Sequence, residues 1–202
     1  MSLRTCGRNL YDPPVPDGVH FPDAAAFEAW LEQHGEDTDE VWVRFAKKGS
    51  GAATVTYDEA LEAALCFGWI DGKALGLDER FYLQRFTPRR KRSIWSKRNT
   101  EKAEALIAAG RMRPAGLRQV EAARADGRWE AAYEGSAAAA VPEDFRRELD
   151  ANAAAAEFFA TLKGQNRYAI LYRIQTAKRP ETRAKRIREF VAMLAERRTL
   201  YP

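Results

Sequence analysis

Cys66, in Leu65-Cys66-Phe67-Gly68-Trp69, is the first residue with the chemistry of a nucleophile. A helix is expected to end there. The negative end of its dipole and the apolar neighbours both oppose a thiolate, so a buried structural thiol is expected. The chain has two cysteines, Cys6 and Cys66, and two histidines, His20 and His34. It has no C-x-x-C, no H-E-x-x-H and no alternating run of Asp and Asn ligands, so no metal centre is expected. Phosphate loops of the G-x-x-x-x-G-K-[ST] and G-x-G-x-x-G types are missing, as is the G-x-S-x-G nucleophile elbow, and no cofactor is expected.

More is written in the strand Arg80-Phe81-Tyr82-Leu83-Gln84-Arg85-Phe86-Thr87. Alternation groups Phe81, Leu83 and Arg85 on one face and Tyr82, Gln84 and Phe86 on the other. A guanidinium on an apolar face requires a partner, and Asp71 on the neighbouring strand is the expected one. Two readings follow: an ion pair that fixes register, or a polar pocket in which Arg85 meets an anion. The next segment, Thr87-Pro88-Arg89-Arg90-Lys91-Arg92-Ser93-Ile94-Trp95-Ser96-Lys97-Arg98, joins positive charge, an aromatic face and a helix start. That combination suits phosphate, carboxylate or single-stranded nucleic acid, with Trp95 as either a stacking face or a core anchor. The candidate ligand-binding residues are therefore Trp69, Asp71, Lys73, Arg85, Arg89, Arg90, Ser93, Trp95 and Lys97.

These residues need elements to hold them. Residues 1–22 are punctuated by Pro13, Pro14, Pro16, Gly18 and Pro22 and read as an arm without its own core. Asp23 fits an N-cap before Phe27, Trp30, Leu31 and His34, with Gly35 as the stop. Val41-Trp42-Val43-Arg44-Phe45 is a strand by its β-branched and aromatic content. Thr56 and Glu59 form a capping box for a helix that buries Ala60, Leu61, Ala64 and Leu65 and stops at Gly68. Strands over 69–75 and 80–87 complete a small antiparallel sheet. From Ser96 the pattern is helical, with Pro114, Pro142, Asn152, Asn166 and Pro180 opening successive helices. The expected class is α+β: a small antiparallel sheet packed with helices, then an all-helical C-terminal segment. The expected organisation is an arm over 1–22, an α+β domain over 23–135 and a helical region over 141–202.

The 202 residues carry 46% hydrophobic and 31% charged residues, which excludes collagen-like, low-complexity and mostly disordered classes. No apolar run approaches a membrane span, and the opening MSLRTCGRNLYDPPVPDG lacks the apolar stretch of a secretory signal. A cytoplasmic location is expected. Charge is uneven: residues 1–84 hold 7 Lys and Arg against 15 Asp and Glu, whereas residues 85–202 hold 26 against 14. One basic cluster runs from Arg85 to Arg98; the other holds Lys178, Arg179, Arg183, Lys185, Arg186 and Arg188. Both are open to local pairing or solvation, and both are open to a polyanion.

Tyr57-Asp58-Glu59-Ala60-Leu61, Leu65-Cys66-Phe67-Gly68-Trp69-Ile70-Asp71-Gly72 and Gln84-Arg85-Phe86-Thr87-Pro88-Arg89-Arg90 resemble the YdeI/OmpD-associated family, also called bacteriocin-protection proteins. So do Ser93-Ile94-Trp95-Ser96-Lys97, Gly110-Arg111-Met112, Ala177-Lys178-Arg179-Pro180-Glu181-Thr182-Arg183 and Arg186-Ile187. The likeness extends over roughly residues 20–202. The resemblance implies protection against antimicrobial peptides and association with an outer-membrane porin; it implies no reaction and carries over no catalytic residue. The expected function is a non-enzymatic, cytoplasmic binding or stress-protection protein whose partner is an anionic small molecule or another protein. Two alternatives stand beside it. One is nucleic-acid binding through the 85–98 and 178–188 clusters; the other is an enzyme using Asp71 with Arg85, Arg89 and Arg90.

Overall fold

The computed structural model describes residues 16–135 and 140–202, and Cys6 lies outside them. Along the described chain run β1 (Val19–His20), α1 (Ala24–His34), β2 (Val41–Ala46), α2 (Tyr57–Cys66), β3 (Trp69–Gly76) and β4 (Phe81–Pro88). Helices α3 (Lys97–Ala108), α4 (Pro114–Ala125), α5 (Glu143–Asp150), α6 (Ala153–Thr161), α7 (Gly164–Gln175) and α8 (Pro180–Ala195) follow. The class is α+β with a helical C-terminal segment. The contacts divide the chain into two compact units. The first runs through Ser93 and adds Ala103–Ala122; the second comprises Ile94–Lys102 and Ala123–Pro202.

In the first unit the sheet order is β1-β2-β4-β3. The β3–β4 pair is an antiparallel hairpin, as its short connection requires; β2 also pairs antiparallel with β4, and β1 adds to β2 in parallel. Of the arm expected over residues 1–22, residues 1–15 lie outside the described residues; at its described end the reading is corrected, because Val19 and His20 form the edge strand and Phe21 is buried in the core. One face of the sheet, built from Val41, Val43, Phe45 and Phe86, packs against Phe27 and Leu31 of α1 and Ala60, Ala63 and Ala64 of α2. Asp23 starts α1 by accepting the Ala26 N–H at 2.9 Å. Thr56 and Glu59 start α2 with a reciprocal capping box. Gly68 ends that helix at φ 77°, a left-handed conformation that a side chain resists. At the hairpin tip Asp78 Oδ1 accepts from the N–H groups of Arg80 and Phe81, closing an Asx-type turn.

Residues of α4 in this unit close over the end of α2. The Arg113 N–H donates to the Cys66 carbonyl at 3.1 Å. A Cβ on Gly116 would stand 2.3 Å from that same oxygen and 2.7 Å from the Leu65 oxygen, so only hydrogen fits. Arg111 extends from the same stretch to Glu28 of α1 at 2.8 Å and Glu62 of α2 at 3.2 Å.

The second unit has its own core of Phe145, Leu149, Phe159, Ile170, Leu171, Ile174, Ile187, Phe190 and Leu194. Asn152 caps α6 through the Ala155 N–H, and Pro180 sits in the first turn of α8, where its missing N–H costs nothing. Asp144 of α5 receives two hydrogen bonds from Arg183 of α8, at 2.5 and 2.8 Å, and Arg183 also donates to the Ile174 carbonyl. The Arg183 hydrogen bonds hold the Asp144 carboxyl below the usual carboxylate range.

Two outcomes are expected. Gly116→Ala forces the α4 backbone off the α2 carbonyls and lowers unfolding free energy by about 1–3 kcal/mol in a denaturant titration. Arg183→Gln leaves Asp144 partly buried without its cation. Because the folded carboxyl titrates below its unfolded value, the pair stabilises above the unfolded pKa, and that stability fades as pH falls through the folded one. The wild-type advantage over Arg183→Gln should therefore be full at neutral pH and shrink in acid, read as the gap between their thermal midpoints.

Candidate functional site

The nine candidate residues divide between the units. Trp69, Asp71, Lys73, Arg85, Arg89, Arg90 and Ser93 lie in the first, Trp95 and Lys97 in the second. Trp69 is 1% exposed, and its indole N–H donates to the Gly35 carbonyl at 3.1 Å. Lys73 and Arg90 are exposed, and Arg89 is buried with its backbone N–H on the Gly68 carbonyl. Ser93 Oγ accepts the Arg90 N–H, which folds the basic loop back on itself.

The expected Asp71–Arg85 pair does not form. Asp71 opposes Phe86 in the register, on the core face, and accepts from the Tyr57 hydroxyl at 2.8 Å. Arg85 opposes Trp42, on the other face, and its Nε donates to Glu40 at 2.7 Å. The face assignment is thus reversed: Tyr82 and Phe86 pack on the core, and Arg85 stands half-exposed. Between Asp71 and Ala74 the register shifts. The Gly72 carbonyl at that irregularity accepts from Gln84, a buried polar side chain on the core face.

Cys66 is a poor nucleophile, as its surroundings suggested. Burial pushes its thiol up to about 11, outweighing the nearby Arg111 charge. Among the described residues no group of three His, Cys, Asp or Glu side chains is placed to hold a metal ion. No described helix is long and apolar enough to cross a membrane.

A chemically richer place lies within the second unit. The stretch ahead of α3 runs beside residues 129–134. The Tyr133 N–H donates to the Trp95 carbonyl at 3.0 Å and the Lys97 N–H to the Tyr133 carbonyl at 2.9 Å, a parallel bridge at Ser96 and Tyr133. Trp95 is consequently a core anchor, 1% exposed and 4.8 Å from the Trp129 ring. Beside this bridge opens a cavity of about 580 Å³. Ile94, Lys97 and Tyr133 line it from the bridge, Asp126, Arg128 and Glu130 from the turn after α4, and Gln175, Thr176 and Lys178 from the end of α7.

Its wall has three cations and three acids. Lys97 pairs with Glu134, whose carboxylate raises the lysine above its usual value. Arg128, 8% exposed, donates from Nε to both Asp126 oxygens at 2.7 and 2.8 Å and holds that carboxyl below its usual range. Gln175 lines the cavity, and its Oε1 is buried with no hydrogen-bond partner among the described residues. A desolvated acceptor left so costs about 1–3 kcal/mol, which a turn of the Gln175 side chain toward a donor in the cavity would recover. Of the nine candidates Lys97 lines this cavity. Arg128 and Gln175 were not singled out: each sits in an otherwise ordinary helical or turn stretch, and only the fold gathers them. Two of the stretches that carried the family resemblance, Ser93–Lys97 and Ala177–Arg183, do reach it.

Two family models match the chain. Residues 138–197 match Bacteriocin-protection, YdeI or OmpD-Associated, and residues 19–119 match Domain of unknown function (DUF8412). The YdeI/OmpD-associated resemblance expected over residues 20–202 is matched over 138–197, whereas residues 19–119 match a different family model. No curated protein and no solved structure matches the chain.

With a thiol displaced to about 11, roughly a thousandth of Cys66 is ionised at pH 8. Native protein treated with iodoacetamide should leave Cys66 unmodified by peptide mass spectrometry, and unfolding in denaturant should expose it to rapid labelling.

Proposed function

We propose that this chain, which belongs to the YdeI or OmpD-associated bacteriocin-protection family and to the DUF8412 family, is a non-enzymatic, cytoplasmic stress-protection protein. It works by holding a small polar ligand in the cleft of its second unit. The observation that supports this reading is a cavity of ligand size lined by Gln175, whose Oε1 is buried and unpartnered among the described residues. The expectation of a purely anionic ligand changes at this site. Lys97, Arg128 and Lys178 face Asp126, Glu130 and Glu134, so the cleft suits a ligand carrying both signs, with an N–H or O–H for Gln175. A free amino acid or a short peptide end has that chemistry. Ile94, Ala131, Ala132 and Ala177 give its uncharged part an apolar wall.

The test is thermal unfolding of the wild type and of Gln175→Leu against a panel of free amino acids and dipeptides. Leucine keeps the size and removes the orphan acceptor. The reading expects at least one compound to raise the wild-type midpoint by several degrees, since bound ligand stabilises only the folded state. It expects Gln175→Leu to lose that shift while its own midpoint is unchanged or higher. A panel with no effect on the wild type, or a shift that survives in Gln175→Leu, contradicts it.

A further inference from the structure

We infer that the second unit carries a separate site for a phosphomonoester, built by Arg146 of α5, Lys163 ahead of α7 and Arg167 of α7. The three side chains line a cavity of about 660 Å³ together with the apolar Val141, Leu149, Phe159 and Leu162. None of the three makes an ion pair or a side-chain hydrogen bond among the described residues. Five other cations of the same unit are engaged: Arg183 with Asp144, Lys185 with Glu189, Arg197 with Glu157, Arg198 with Glu196, and Arg186 on the Arg173 carbonyl. Arg147, Arg179 and Arg188 are unpaired among the described residues, but they are exposed and do not line this cavity.

Three like charges gathered around one opening repel one another, and an anion between them removes that cost. The Arg167 guanidinium is already held, 4.5 Å from the centre of the Phe159 ring, and Phe159 is fixed edge-on to Phe145 at 5.3 Å. A guanidinium held in this way presents its planar fork to an oxyanion with little further ordering. Asp150 is the one acid on the wall, so the rim carries a net charge of +2. That matches a phosphate group, which bears about −1.5 to −2 at neutral pH, better than a monoanionic carboxylate. The volume exceeds what a bare phosphate needs, and the apolar lining fits an organic body attached to it. Gly164, the first residue of α7, lines the same cavity, and its N-cap Lys163 makes no side-chain cap, so backbone N–H groups add to the positive field. The whole cavity lies inside the stretch that matches the OmpD-associated model.

Titration of the full chain with phenyl phosphate, followed in ¹H–¹⁵N correlation spectra, tests the site, with benzoate and benzyl alcohol as partners of lower charge. The expected result is saturable movement centred on the amides of 146 and 163–167, weaker affinity for benzoate and no saturation with benzyl alcohol. Arg146→Gln with Arg167→Gln should weaken phenyl phosphate by roughly tenfold or more, as loss of two charge-assisted contacts implies. Arg188→Gln, an exposed cation of α8, should leave the affinity unchanged, and so should Gln175→Leu, whose cleft is a different one. The spectra report folding directly, and Lys163→Gln, exposed at the rim, serves if the double variant does not fold. The inference is overturned by equal binding of benzyl alcohol, by undiminished affinity in the rim variants, by an equal loss in Arg188→Gln, or by no saturable shift at all. Loss of the amino-acid effect in the cleft with phenyl phosphate still bound would sink the proposed function alone.

Discussion

The parallel bridge between Trp95–Lys97 and Tyr133 is the constraint on which the second unit's cleft depends. Its two backbone hydrogen bonds join stretches nearly forty residues apart. They seat Trp95 against Trp129 in a fully buried position, which fixes where α3 begins. Ser96 then starts that helix, its carbonyl accepting from Asn99 and Thr100 and its hydroxyl from Asn99. Ile94 and Lys97, either side of the anchor, are left on the cleft wall. Lys97 in turn reaches Glu134, one residue beyond the bridge, so the backbone pairing and the ion pair hold one another in place.

Charge is organised by the fold more finely than the composition suggests. The cluster at 85–98 is divided: Arg85 turns to Glu40, Lys97 to Glu134, Arg89 is buried, and Arg90 stays in solvent. The cluster at 178–188 is divided too, because Arg183 and Lys185 have acids and Arg186 has a carbonyl. Positive charge remains unmatched at a place that no run of basic residues marked, where Arg146, Lys163 and Arg167 come together from separate elements.

What was legible in the sequence was local. The Thr56–Glu59 box, the Asp23 and Asn152 caps and the Pro180 start each depend on residues within one turn, and each is present. The β3–β4 hairpin follows from the two short strand-like runs at 69–75 and 80–87. The losses have equally physical reasons. A two-residue parallel strand such as β1 has no periodicity to read. The bulge after Asp71 puts that carboxylate on the core face with Tyr57, where simple alternation had offered it to Arg85. Asn166, expected as a cap, instead binds the chain end, its amide exchanging hydrogen bonds with Tyr201 at 2.9 and 3.0 Å. Gly164 begins α7, after α6 has ended at Thr161. The cleft and the cation rim are long-range products of packing, so their residues left no spacing to find.

Native-state hydrogen exchange at the Lys97 and Tyr133 amides tests most directly the claim that the 94–102 stretch is part of the C-terminal unit. Both amides should be strongly protected and should open with the same free energy as Ile170, Leu171 and Ile174 in the core of α7. Exchange at the rate of an unstructured chain, or opening together with the β2 and β4 amides instead, would contradict the account.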